Sequence, residues 1–369
     1  MKTNIIIPVL AALCIQTHAQ VRFTPVDSHL PFAEMISGIE LIPLDTDEVN
    51  MLRTDIWCKH GDCPVPEEPV HSQGPELILA EDSYLLVDPG QDRTYRYSWD
   101  GRFLNSIGKI DEGKEKMTNA QLLDDGLYVY AYPGAVRRYR LDGTEVRSEK
   151  VEDIGSGGWT VKEGLLTWYG YGSGRPGRLA LWNGMDSTTF LPTSAKVLHL
   201  DLGLPVFTQN GKAVTFIDGT RSTVMIYRNG KASRHLDIDL GEFAIADSYY
   251  EHEDSMEAAL EMMSKTFGIV ERYVQDRKYG FMEIMIQTPE GKVTDYYGIM
   301  RKGEWTWFSP GTINEHPFAN SFRTIKGKTL YCILNPDILK NMQDELKAKI
   351  TTPLETSADD FIIAKVHLK

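Results

Sequence analysis

Four two-residue turns recur along the chain at nearly even spacing. They are Asp100-Gly101, Asp142-Gly143, Asn183-Gly184 and Asn229-Gly230, in steps of 42, 41 and 46 residues. Asp-Gly and Asn-Gly are favoured centres of type I′ hairpins, because both residues tolerate φ > 0. A strand-like run precedes each pair: Thr94–Trp99, Arg137–Leu141, Leu179–Trp182 and Val224–Arg228. A hairpin unit repeating every ~40–50 residues is the pattern of a β-propeller, one unit per blade.

A second marker keeps the same beat. Short apolar strands start at Ser83, Gly126, Gly164, Gly211, Tyr279 and Gly327, in steps of 43, 38, 47, 68 and 48. Six units predict an all-β, six-bladed propeller. The first three runs (Ser83–Asp88, Gly126–Ala131, Gly164–Tyr169) are almost continuously apolar, as strands covered on both faces should be, and read as the inner strands of their blades.

The long step has a visible cause. Asp247–Phe267 breaks the strand pattern, with Asp254 or Ser255 placed to cap a helix and Glu257 in its first turn. Removing these 21 residues leaves a step of 47. Met256, Leu260, Met263 and Phe267 follow at helical spacing. The stripe is expected to pack on the propeller; the alternative is a lid or partner-docking helix, since insertions on one face of a repeat array often form its binding face. An open ring would expose unpaired edges. Gly38–Leu44 and Phe361–Leu368 are therefore expected to share the sixth blade with Gly327–Leu334.

Residues 1–19 read as a secretory signal: Lys2, the apolar run Ile5–Cys14, and Thr17-His18-Ala19 before a mature start at Gln20. The propeller domain is then 20–369. Cys14 offers a lipid-anchor alternative, although Leu13 stands where such a signal carries a small residue. The expected location is exported, periplasmic or cell-surface. No later stretch is apolar enough to be a transmembrane segment. A net charge of −13 disfavours nucleic acid and anionic membranes as partners.

The GIELIPL opening, the SYLLVD strand, the YSWDGRFLNSIG hairpin and the FIIAKVHLK ending resemble the six-bladed β-propeller family of secreted and lipid-anchored bacterial proteins. The likeness spans most of the mature chain as short motifs. That family often carries a glycine-proline-rich stretch after the first hairpin, and Gly108–Met117 (GKIDEGKEKM) lacks it. The resemblance implies the fold and an envelope location. It implies no established reaction and assigns no catalytic residue.

Candidate chemistry is sparse. Cys58 and Cys63 are placed to form a disulfide in an oxidising compartment. The alternatives are unpaired thiols or, with His60 and His71, a zinc site of unusual spacing. No metal and no cofactor is expected. Trp159, Trp168, Tyr169, Tyr171 and Trp182 gather around the glycine-rich loops Gly155–Gly158 and Gly170–Gly177. Tyr171, Arg175 and Trp159 are the ligand-binding candidates, with aromatic faces to stack and an arginine fork to hold a carboxylate or phosphate; for the aromatics, packing between blades is the competing role. There is no Gly-x-Ser-x-Gly elbow and no His-Glu-x-x-His helix. His199, His235 and His316 are the candidates should single residues from different blades meet in the central funnel. The leading expectation is a noncatalytic binding module for a glycan, peptide or envelope protein. A propeller lyase or hydrolase with a funnel His or metal site is one alternative, and a structural scaffold in an envelope complex the other.

Overall fold

The computed structural model describes residues 19–28, 30–45, 75–108, 115–170, 175–184, 186–192, 207–210, 213–218, 221–251, 254–311, 322–334, 339, 342, 344–352 and 361–369. Among them, strands form six antiparallel meanders. Blade 1 is Glu76–Leu79, Ser83–Asp88, Arg93–Ser98 and Phe103–Ile107. Blade 2 is Lys116–Leu123, Gly126–Tyr132, Ala135–Tyr139 and Glu145–Lys150. Blade 3 is Gly157–Val161, Gly164–Trp168, Gly177–Trp182 and Ser187–Pro192. Blade 4 is Phe207–Asn210, Ala213–Ile217, Thr223–Arg228 and Lys231–Asp239. Blade 5 is Phe267–Asp276, Tyr279–Gln287, Val293–Arg301 and Glu304–Gly311. First strands of successive blades from 2 through 6 touch one another, and that of blade 6 touches that of blade 1, so each first strand lies on the axis. The chain is a six-bladed β-propeller.

Blade 6 closes the ring from both ends of the chain. Phe322–Lys326, Thr329–Leu334 and Ile362–Leu368 form its first three strands, and Ile36–Pro43 is the outer one. Ile39 pairs with Val366 and Leu41 with Ala364. The N-terminal strand Ala19–Arg22 adds in parallel to the outer edge of blade 4, Val21 opposite Ile238. Phe23 then packs edge-on to Tyr296 and Trp307, at 5.3 and 5.1 Å. Burying such side chains between blades is the main stabilising term, about 1.5–3 kcal/mol for each large apolar group.

Three sequence expectations shift in position. The apolar runs are the second strands of their blades, not the innermost; a second strand is covered by blades on both sides, whereas the first strands carry Glu76, Asn119, Gln121, Arg272 and Arg323. The turns also differ. Only Asn229-Gly230 has φ > 0 at both residues, +50° and +77°. At Asp100-Gly101, Gly101 N–H bonds Ser98 C=O while Ser98 N–H bonds Arg102 C=O, a type I turn whose left-handed residue is the glycine. Asp142 takes the same course, its carboxylate accepting from Thr144 N–H at 2.9 Å. Finally, the inserted helix Ser255–Met263 forms with Asp254 as its cap, accepting from Met256 and Glu257 N–H, but its Met256–Leu260–Met263 stripe faces solvent. Ala258, Ala259 and Met262 are the buried side. Two alanines let the helix lie close to the propeller, which turns the larger side chains outward.

Meander topology sorts the connections by face. First-to-second and third-to-fourth strand turns open on one face; second-to-third turns and blade-to-blade crossings open on the other. The first set comprises tight hairpins such as 124–125, 162–163, 229–230 and 302–303. The second set contains 44–75, 193–206, 240–266, 312–321 and 335–361. Each of these five starts and ends on one face, the loop face, whereas the connection 23–35 runs from the loop-face end of Ala19–Arg22 to the opposite end of Ile36–Pro43.

Candidate functional site: the axis and the loop face

The inner strand of blade 5 carries a bulge. Val270 pairs with Ile284 and Arg272 with Glu283, leaving Glu271 without an opposite residue. Arg272 donates from both terminal nitrogens to Glu76 of blade 1, at 2.7 and 2.8 Å. Its Nε lies 3.6 Å from Glu283 Oε2, and Tyr297 donates to Glu283 Oε1 at 2.7 Å. Arg323 of blade 6 donates to the Pro75 and Phe322 carbonyls at 2.8 and 3.1 Å. Arg272, Glu283 and Arg323 are buried. The cluster ties blades 5, 6 and 1 together where the blade 1 and blade 6 inner strands begin, at the loop-face end of the axis.

Acids outnumber bases here. Burial works against the Arg272 charge, but Glu76 and Glu283 outweigh it and hold its pKa up. Burial, then Arg272 beside it, pulls the Arg323 pKa down. Burial, then Glu283 and Asp295, pushes the Glu271 carboxyl well above its usual range. Burial, then Glu283, pushes Asp295 up to about 7. Glu76 and Glu283 match the two arginines in number, and burial beside Glu283 favours the neutral forms of Glu271 and Asp295.

The seam between blades 2 and 3 solves the same problem without charge. The Asn119 amide donates to Gly158 C=O at 2.7 Å and accepts from Gly158 N–H at 3.1 Å. Gln121 does the same to Thr160, at 3.1 and 2.9 Å. Each side-chain amide imitates a strand's peptide group and satisfies the exposed edge of blade 3's inner strand. Tyr130 OH adds bonds to Gln121 and Thr160. Between blades 3 and 4, Arg178 forks onto Asp218 at 2.8 and 2.9 Å.

The sequence candidates do not meet. Trp159 is buried against Phe207, ring centroids 6.1 Å apart, so its ring packs blade 3 on blade 4. Arg175 lies on the loop face 5.0 Å over the Tyr169 ring, within 3.4 Å of Glu152 and 3.1 Å of Asp153. An anionic ligand at Arg175 would have to displace one of those carboxylates. His235 sits in the outer strand of blade 4, its Nε2 3.2 Å from Tyr273 OH and 3.3 Å from Gln275. Burial first of all lowers its pKa. Tyr171, His199, His316, Cys58 and Cys63 lie outside the described residues. Cys332 is fully buried in the core, where burial raises its thiol pKa. No group of three His, Cys, Asp or Glu among the described residues is arranged to hold a metal ion.

Charged residues inside apolar strands were the missed signal. Glu271-Arg272 interrupts FGIVERYV and Glu283 interrupts YGFMEIMIQ. A charge in a doubly covered strand requires a buried partner.

Solved structures share this architecture at very low sequence identity. A Bacteroides fragilis protein described as a candidate exported protein superimposes with a TM-score of 0.70 at 10% identity, over 95% of this chain and 99% of that one. The likeness is of fold. A member of the DUF4221 family from Bacteroides vulgatus gives a TM-score of 0.51 at 8% identity, over 90% and 97% of the two chains. The virginiamycin B lyase of Staphylococcus aureus scores 0.43 at 11% identity, covering 90% of this chain and all of that one, and supplies no argument about activity. No protein-family model matches the sequence, and no curated protein matches it. No helix among the described residues is long and apolar enough to cross a membrane.

Proposed function

We propose that the chain is an exported, noncatalytic binding module whose loop face takes a glycan, peptide or envelope protein. The observation that carries this reading is the placement of five long connections, 44–75, 193–206, 240–266, 312–321 and 335–361, on one face. Hairpins that serve only the fold are held to a few residues. The extra chain length is spent on the other face, where repeat proteins place their recognition loops. Export is supported by the signal-like N-terminus and by the description of a structural neighbour as an exported candidate. Cleavage after Ala19 leaves Gln20–Arg22 of the strand on blade 4 in place.

Within the axial cluster, three of the charged groups are committed to the fold. The two buried arginines and Glu283 already have protein partners. His235 is held between blades 4 and 5 rather than at the axial cluster. Tyr171 and Arg175 remain the proposed contacts on the blade 3 loop. Replacing both with alanine is expected to weaken capture on an immobilised panel of envelope glycans and peptides while leaving Tm unchanged. Unchanged capture removes these two residues from the site. Turnover of a panel member by the intact chain overturns the noncatalytic reading.

A further inference from the structure

We infer that the helix Ser255–Met263 is a docking surface for a cationic amphipathic helix of a partner protein. The inference rests on the reading of the chain as a binding module and names one class of partner for it. Met256 and Leu260 are each 62% exposed and Met263 is 51% exposed, three large apolar side chains in one stripe. Three residues at i, i+4 and i+7 make a continuous ridge along the helix. Methionines adapt to varied apolar shapes, which suits a docking ridge.

The ridge is mounted rigidly. Behind it, Ala258 and Met262 pack into a cluster with Tyr249, Phe267 and Met285. The neighbouring Tyr250 ring is capped by the Arg221 guanidinium at 4.0 Å, and Arg221 also lies 3.9 Å from Asp247. A partner therefore meets a ridge that is already in place, which lowers the ordering cost of binding.

Charge selects the occupant. Residues 240–266 hold seven acids (Glu242, Asp247, Glu251, Glu253, Asp254, Glu257, Glu261) and one lysine. That lysine, Lys265, is already bonded to Glu261 at 2.7 Å. Glu257 and Glu261 run along the solvent side of the apolar ridge on the helix itself. A second copy of this chain would bring the same acids against themselves, and an anionic lipid surface would be repelled. A helix with lysines or arginines beside a leucine-type stripe satisfies both the ridge and its acidic side.

Fluorescence anisotropy with the intact mature chain tests this. The probe is a labelled 18-residue Lys/Leu peptide with leucines at helical spacing. Its controls are the same composition with the stripe scrambled and the same pattern with glutamate for lysine. The patterned cationic peptide is expected to bind at least ten-fold more tightly than the scrambled one, with no binding of the glutamate peptide. Leu260→Ser with Met263→Ser is expected to lose at least ten-fold in affinity at unchanged Tm. Glu257→Gln with Glu261→Gln is expected to weaken binding and flatten its salt dependence. Equal binding of patterned and scrambled peptides, or full binding by the serine variant, overturns the inference. So does a lowered Tm in that variant, a dimer it abolishes, or vesicle binding it abolishes. Such a failure with capture on the glycan and peptide panel intact leaves the binding-module reading standing; loss of both does not.

Discussion

The two faces of this propeller are built on different terms. On the hairpin face, connections are short and their residues are fixed by backbone geometry. Gly164, after the turn 162–163, illustrates it: φ is +149°, and a Cβ there would lie 2.0 Å from Trp182 C=O in the third strand of the same blade. The loop face carries the long connections. Buried charges tie blades 5, 6 and 1 at its end of the axis, while Met256, Leu260 and Met263 stand exposed on one of those connections. An apolar ridge that the fold does not need marks where selection for something other than folding acts.

The largest expected effect is at the loop-face end of the axis. Arg272→Met leaves Glu76 and Glu283 without their shared cation and is expected to cost about 3–5 kcal/mol at neutral pH. Adding Glu76→Gln should recover part of that loss. Chemical denaturation measures both; a single-variant cost under about 1 kcal/mol would show that the ion pairs do not hold blades 5, 6 and 1 together.

Next in size is Gly164→Ala on the hairpin face. Its positive φ plus the clash with Trp182 C=O is expected to cost about 2–4 kcal/mol while leaving capture of panel ligands unchanged. Weakened capture by folded Gly164→Ala protein would break the division between faces.

The smallest effect is a pH dependence. Burial and Glu283 raise Asp295 to about 7 in the folded chain, above its unfolded value near 4. Its contribution is fully present below the unfolded value and is lost as pH rises through about 7. The fall runs from about pH 4 to 7, and Asp295→Asn should flatten it, by about 1–2 kcal/mol over its upper half between about pH 5.5 and 7. His235, whose pKa burial lowers, acts in the opposite direction at the acid end. The difference between the wild-type and Asp295→Asn curves cancels that term. Parallel curves would mean that Asp295 is ionised throughout.

The ring itself was legible because its signals are local. Turn pairs at even spacing, six apolar strands and lone strands at both ends gave blade count and closure, down to Ile36–Pro43 lying beside Ile362–Leu368. Strand rank within a blade was not legible. Ser83–Asp88 reads as an inner strand, but only the assembled ring shows that Glu76–Leu79 lies inside it. The axial cluster joins Glu76, Arg272, Glu283 and Arg323, up to 247 positions apart (76 to 323), and no local pattern pairs them. The helix was legible from its cap, but its buried side was not. Its two apolar stripes differ in size, and close approach selected the small one, Ala258 and Ala259.

The central claim is that recognition belongs to the loop face. Hydrogen–deuterium exchange of the intact chain, with and without saturating panel ligand or Lys/Leu peptide, tests it most directly. The account predicts added protection within 169–176, 240–266 and 288–292, with none at the turns 99–102, 140–144 and 229–230. Protection at those hairpin turns, with the long connections unchanged, would contradict it.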